Sequence, residues 1–155
     1  MVYAHAITHL GEVALSRLPA ERRSHEAKAE KREEWIIDAG KAGRILVPEF
    51  GSPGLTSIKI LRNGTRGSLD GVDFKVTVKS SCLHSRRRVE FDGIGIHFEV
   101  RRFGVDLHRG GRRVARRILG EWNFFDDAAP TVLGACLFEW GGMDFFLRTP
   151  FLRLL

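Results

Sequence analysis

The sequence is poor in cysteine, in lysine and in long apolar runs, and each shortage excludes something. Two cysteines, Cys82 and Cys136, are too few for the disulfide framework of a small secreted domain. Two free thiols in a reducing compartment is the plainer reading, with Cys136 in an apolar run and therefore in the core. The longest apolar run, residues 132–138, is far shorter than the ~18–20 residues that a membrane-spanning helix needs. Residues 1–6 lack the basic and apolar regions of a secretory signal. The expectation is a cytoplasmic chain without a transmembrane segment.

What is present argues for a folded core. The 155 residues suit one domain, and 43% of them are hydrophobic, with eleven Phe and three Trp. Disorder needs the opposite composition. Seventeen glycines point to many tight turns.

Charge is uneven. Residues 84–117 hold ten arginines (86, 87, 88, 101, 102, 109, 112, 113, 116 and 117) against four acids, an excess equal to the whole formal charge of +6. Such a patch attracts phosphates or an anionic membrane surface. Arginine outnumbers lysine 19 to 6 along the whole chain, however, and genomic base composition can produce that bias.

Along the chain, Ile7, Leu10, Ala14 and Leu18 fall at helical spacing and predict an amphipathic helix over residues 4–18, weakened by Gly11. Residues 20–38 predict a second helix, almost wholly polar until Trp35, with Gly40 as its stop. The first 43 residues therefore read as a helical arm outside the core. Residues 44–47 and 56–62 read as strands, and Asn63-Gly64 as a hairpin turn.

Residues 72–101 carry the clearest pattern. Val72, Phe74, Val76 and Val78 alternate with polar residues, as do Ile94, Ile96, Phe98 and Val100, so each strand buries one face. Residues 86–91, 103–107 and 114–119 continue a meander, giving about seven strands in all. Pro130 then opens a helix over about residues 130–140 that is apolar on every side and so must be buried. Asp126 and Asp127 stand just before it, where a helix dipole favours acids.

The expected fold is α+β: an antiparallel β-meander or partial β-barrel over residues 44–155, wrapped around that buried C-terminal helix, with the helical arm of residues 1–43 attached outside. The sheet needs the helix to cover its apolar face.

A meander followed by one wholly apolar helix resembles the tubby-like and LURP-one-related proteins. The residues that carry the likeness are 94–101, 111–115, Glu121-Trp122 and 127–140, within the last 85 or so residues. The resemblance implies a β-barrel threaded by a hydrophobic helix, and a scaffold or phosphoinositide-binding role. Seven strands fall short of that family's full barrel, and no lipid-ligand residues carry over.

No catalytic motif stands out. His5 and His9 are spaced i, i+4 on the first predicted helix, with Glu12 beyond, but a solvated helix face explains them better than a metal. Cys82 with His84 lacks both the spacing of a metal pair and a nucleophile signature. Asp126, Asp127 and Asp144 are acids near the buried helix, and capping already explains the first two. The stretch His108-Arg109-Gly110-Gly111-Arg112-Arg113, with Gly104, reads as a β-turn flanked by arginines before it reads as a phosphate cradle.

The arginines alone support a functional expectation. Arg86 and Arg88 share one strand face, Arg101 shares the wet face of its strand with His97 and Glu99, and Arg109, Arg112, Arg113, Arg116 and Arg117 follow on the next strands. These eight are the candidate anion-binding residues, with no metal ligands and no cofactor expected. The preferred expectation is a non-enzymatic binding or scaffold protein that contacts a protein or an anionic lipid. A nucleic-acid-binding module using the Arg-rich face is the alternative, weakened because Phe74, Phe91 and Phe98 point to the core instead of stacking on bases.

Overall fold

The computed structural model describes residues 2–29, 31, 33–48, 64–79, 87–101, 103–141, 143 and 147. Eleven strands form one antiparallel sheet in strict sequence order: β1 (Val2–Thr8), β2 (Gly11–Arg17), β3 (Glu34–Asp38), β4 (Arg44–Pro48), β5 (Thr65–Leu69), β6 (Val72–Lys79), β7 (Arg88–Asp92), β8 (Ile96–Arg101), β9 (Gly104–Arg109), β10 (Arg112–Ile118) and β11 (Glu121–Phe124). Each strand pairs with its neighbours in the sequence order. Among the described residues two helices are complete, α1 (His25–Ala29) and α2 (Ala129–Trp140).

The sheet wraps around α2. Alternation assigns the faces: Phe74 and Val76, Val89 and Phe91, Ile96 and Phe98, and Val105 and Leu107 are all buried. They meet Leu133, Leu137 and Phe138 of the helix, with Phe98 at the centre of rings from Phe91, Trp122 and Phe138. Pro130 sits in the first turn of α2, where its missing N–H leaves no helical bond unmade. Gly141 closes the helix through its N–H to the Leu137 carbonyl.

The sheet is open, since β1 and β11 do not pair. At one end the gap is bridged: the His9 ring lies against Phe124 and its Nε2 is 2.9 Å from the Asp127 carbonyl oxygen. An open sheet that curls this far is a partial barrel with a helix inside it.

The predicted helical arm is corrected. Residues 4–18 form a hairpin, because Gly11 at φ 96° turns the chain and the Thr8 hydroxyl accepts the Leu10 N–H. The helical spacing of Ile7, Leu10, Ala14 and Leu18 was fortuitous; Val13 and Leu15, two apart, are the residues that enter the core. The polar stretch predicted as a helix over 20–38 gives only a 3₁₀ turn at Ala20–Arg22 and the five residues of α1 before Trp35 and Ile37 take up strand β3. Asp38 pairs with Arg44, so the sheet runs without interruption through the expected boundary at residues 43 and 44. The count of about seven strands rises to eleven among the described residues. The strand expected at residues 56–62 lies outside the described residues, as does Asn63 of the expected turn.

Candidate functional site

The outward face of β7 to β10 carries a dense polar cluster. Its centre is Asp106 on β9, paired across β8 with Glu99 and across β10 with Arg116. Asp106 has no exposed surface, although it stands on the face away from the helix. Arg116 and Arg101 cover it: Arg116 Nε donates to Oδ1 at 2.8 Å and Arg101 Nε to Oδ2 at 2.9 Å, with Arg113 Nη1 3.8 Å away. Burial pulls the Asp106 carboxyl upward, but the hydrogen bonds and charges of Arg116 and then Arg101 outweigh it and hold the group below its ordinary value.

A β-bulge makes this convergence possible. Register shifts between Arg113 and Ala115, so that Val114 and Ala115 are both buried. In a regular strand, residues three apart point to opposite faces. The extra residue puts both Arg113 and Arg116 on the outer face, around one carboxylate.

One row along, His97 on β8 faces His108 on β9. Their rings stack with centroids 4.7 Å apart and 7° between planes. Glu99, two residues from His97 on the same face, reaches both: its Oε1 is 3.1 Å from His97 Nε2 and its Oε2 is 3.6 Å from His108 Nε2. His108 Nε2 is buried and makes no hydrogen bond. Burial lowers the His108 pKa, Glu99 pulls it back and His97 adds to the lowering, with a net shift downward that favours neutral imidazole. Arg88 contacts Glu99 Oε1 at 3.1 Å and also reaches Glu90.

The eight arginines expected to bind anions thus divide into groups. Arg88, Arg101, Arg113 and Arg116 share the outer face with Glu90, Glu99 and Asp106 interleaved. Arg109 and Arg112 sit at one end of the sheet on Asp126, at 2.7 and 3.5 Å. Arg117 lies at the other end, bonded to Glu139 of α2 and over the Phe138 ring. Arg86 lies outside the described residues. Fold-internal carboxylates therefore meet much of the charge that looked available for a ligand.

The remaining sequence candidates also resolve. His5 is on a strand and His9 in a turn, so the i, i+4 helical geometry does not arise. Asp126 serves the loop before α2: its Oδ1 accepts the Ala128 N–H at 2.7 Å, and that bond, then Arg109 and Arg112, hold its carboxyl below the ordinary range. Gly110 and Gly111, at φ 60° and 79°, form the tight turn between β9 and β10. Cys82, His84 and Asp144 lie outside the described residues. Cys136 is a free thiol on α2.

Two further features concern surfaces. A wholly apolar crevice of about 10 Å³ lies between α2 and the sheet, lined in part by Ile45, Phe74, Ile94 and Leu137, with room for one water at most. At the end of the sheet where α2 finishes, two neighbouring hairpin tips expose large apolar side chains. Gly104 pairs with Ile118, so Phe103 and Leu119 extend past the same end of β9 and β10. Phe103 is 73% exposed and Leu119 92%.

Sequence reading placed His97 and Glu99 on one wet face but did not join His108 to them. The alternation of β9, with His108 in phase with Asp106, was the available signal. Comparison with protein-family models, with curated proteins and with solved structures gives no match.

Proposed function

We propose that this is a non-enzymatic binding protein that docks on an anionic lipid surface through the end of the sheet carrying Phe103 and Leu119. The exposure of these two tips carries the reading, because a water-soluble surface gains nothing from presenting such side chains side by side. The formal charge of +6 adds a long-range attraction. A curled meander around an apolar helix is also what the likeness to tubby-like and LURP-one-related proteins would require, and that kinship is part of the proposal.

The alternative, a nucleic-acid-binding module, has less support, since Arg101 and Arg116 are bonded to Asp106, and Arg109 to Asp126. Co-sedimentation with vesicles of phosphatidylcholine, with and without phosphatidylserine, separates the readings. Binding is expected only with phosphatidylserine, and Phe103→Ser with Leu119→Ser should weaken it at least about tenfold, as loss of two inserted apolar groups implies. Failure to bind either vesicle, or unaltered binding by the double variant, overturns the reading. Nucleic acid that co-purifies and is released by salt would favour the alternative.

A further inference from the structure

We propose that His97, Glu99 and His108 form a binding site for one divalent late first-row transition-metal ion, of the zinc class. One ligand atom from each of the three lies within 4.8 Å of the other two. Tetrahedral coordination at ~2.0–2.1 Å places neighbouring ligand atoms about 3.3 Å apart. Glu99 brings Oε1 to 3.1 Å from His97 Nε2 and Oε2 to 3.6 Å from His108 Nε2, so its carboxylate faces both rings.

The state of the side chains suits a metal. His108 Nε2 is buried without a hydrogen bond, an uncommon condition for a polar atom and the one a metal would relieve. His97 and Glu99 now share a contact at 3.1 Å, and an ion would replace the proton there. The parallel rings must each turn slightly about χ2 to aim their nitrogens at a common point, and that torsion is soft.

The platform is rigid. All three residues stand on β8 and β9, whose register pairs His97 with His108 and Glu99 with Asp106. Sites on strands hold geometry better than sites on loops. Three protein ligands leave a fourth position open on the outer face, for water or another donor.

Surrounding charge selects the kind of ion. Arg88 and Arg101 both approach Glu99, at 3.1 and 3.6 Å. Their field opposes cations held by charge alone, such as magnesium or calcium, which want several carboxylates. Ions that gain from imidazole nitrogen, zinc, copper or nickel, tolerate it better. Arg88 and Arg101 also fix the Glu99 carboxylate in place, the part that outer partners play around metal ligands.

The test is calorimetric titration of tag-free, full-length protein with Zn²⁺, and with Mg²⁺ in parallel. The proposal expects one Zn²⁺ per chain and no Mg²⁺. His97→Ala and His108→Ala should each weaken zinc binding at least about tenfold, since even outer-shell losses cost that much. Zinc should raise the melting temperature of the native chain but not of these variants. His5→Ala with His9→Ala should leave binding unchanged. If His108→Ala does not fold, His97→Ala and Glu99→Gln, on more exposed side chains, give the same reading. Absence of zinc binding by the native protein overturns the proposal, as does binding that survives His97→Ala but disappears with His5 and His9.

Discussion

Arg116 donates from Nε to Asp106 Oδ1 across 2.8 Å, on the side of the sheet that faces away from the helix, and Asp106 is nevertheless fully buried. Its cover is made of arginine side chains whose apolar stems shield the carboxylate while their heads reach water. Arg101, more than half exposed, completes the pair of Nε–H donors.

Asp106→Asn should therefore destabilise the fold by about 1.5–3 kcal/mol, the usual cost of losing hydrogen bonds to a charged group. It leaves Arg113 and Arg116 without the carboxylate they share, and Arg101 with Glu99 alone. Arg113→Gln, by contrast, removes a 3.8 Å ion pair and a contact over the Phe125 ring from a 43%-exposed side chain and should cost under about 1 kcal/mol. Urea denaturation of both variants checks the difference. Equal, small effects would show that the cluster contributes little.

Asp126 predicts a pH dependence. Its carboxyl is held below the ordinary value of 3.8, first by the Ala128 N–H and then by Arg109. The folded state thus binds this proton more weakly than the unfolded state. The stabilisation is complete above pH 3.8 and is lost as pH falls through the lowered folded value. Asp126→Asn should lower stability at neutral pH and flatten the acid limb of the stability curve below about pH 4, the carboxylate range. Thermal melts of both proteins between about pH 2 and 7 read this directly. Parallel acid limbs would contradict it.

Glycine substitutions should act in opposite directions at two places. At Gly104 an added Cβ would run into the Arg117 carbonyl, part of the β9–β10 ladder. Gly104→Ala should cost about 1–3 kcal/mol, as overpacking does. At Gly134, inside α2, the nearest atoms to an added Cβ are 3.9–4.0 Å away, on Ile96, Leu107 and Phe98. Gly134→Ala should stabilise by up to about 1 kcal/mol through helix propensity. Chemical denaturation of each single variant settles the signs.

The middle of the molecule was legible in the sequence because strands β6 and β8 obey strict alternation and α2 is apolar on all sides. Its ends were not. Small alanines at positions 4 and 6 give β1 a weak inward phase, and Ile7 points outward at 79% exposure. Hydrophobic spacing then imitated a helix, while Gly11 marked the turn. In β10 the bulge breaks the phase between Arg113 and Arg116, so no periodic reading could unite them over Asp106. Pairing His97 with His108 needs the β8–β9 register, which runs from Arg101 with Gly104 and which a single strand does not show.

Cys136 supplies the last prediction. Burial first, and the nearby Glu139 charge second, push its thiol up to about 11. The thiolate is the reactive form, so at pH 8 only about one thiol in a thousand is poised to react, against roughly a quarter for a free cysteine. Alkylation by iodoacetamide, read on the Cys136 peptide by mass spectrometry, should be slowed at least about a hundredfold in the folded protein and should recover in urea. Its rate should climb roughly tenfold per pH unit from 7 to 10, because each unit multiplies the thiolate fraction while the solution stays below the pKa. Cys82 reports on a different peptide and does not confuse the reading. A rate that levels off below pH 9 would mean an ordinary thiol, and with it an α2 surface more open to water than the packing of Leu133, Leu137 and Phe138 describes.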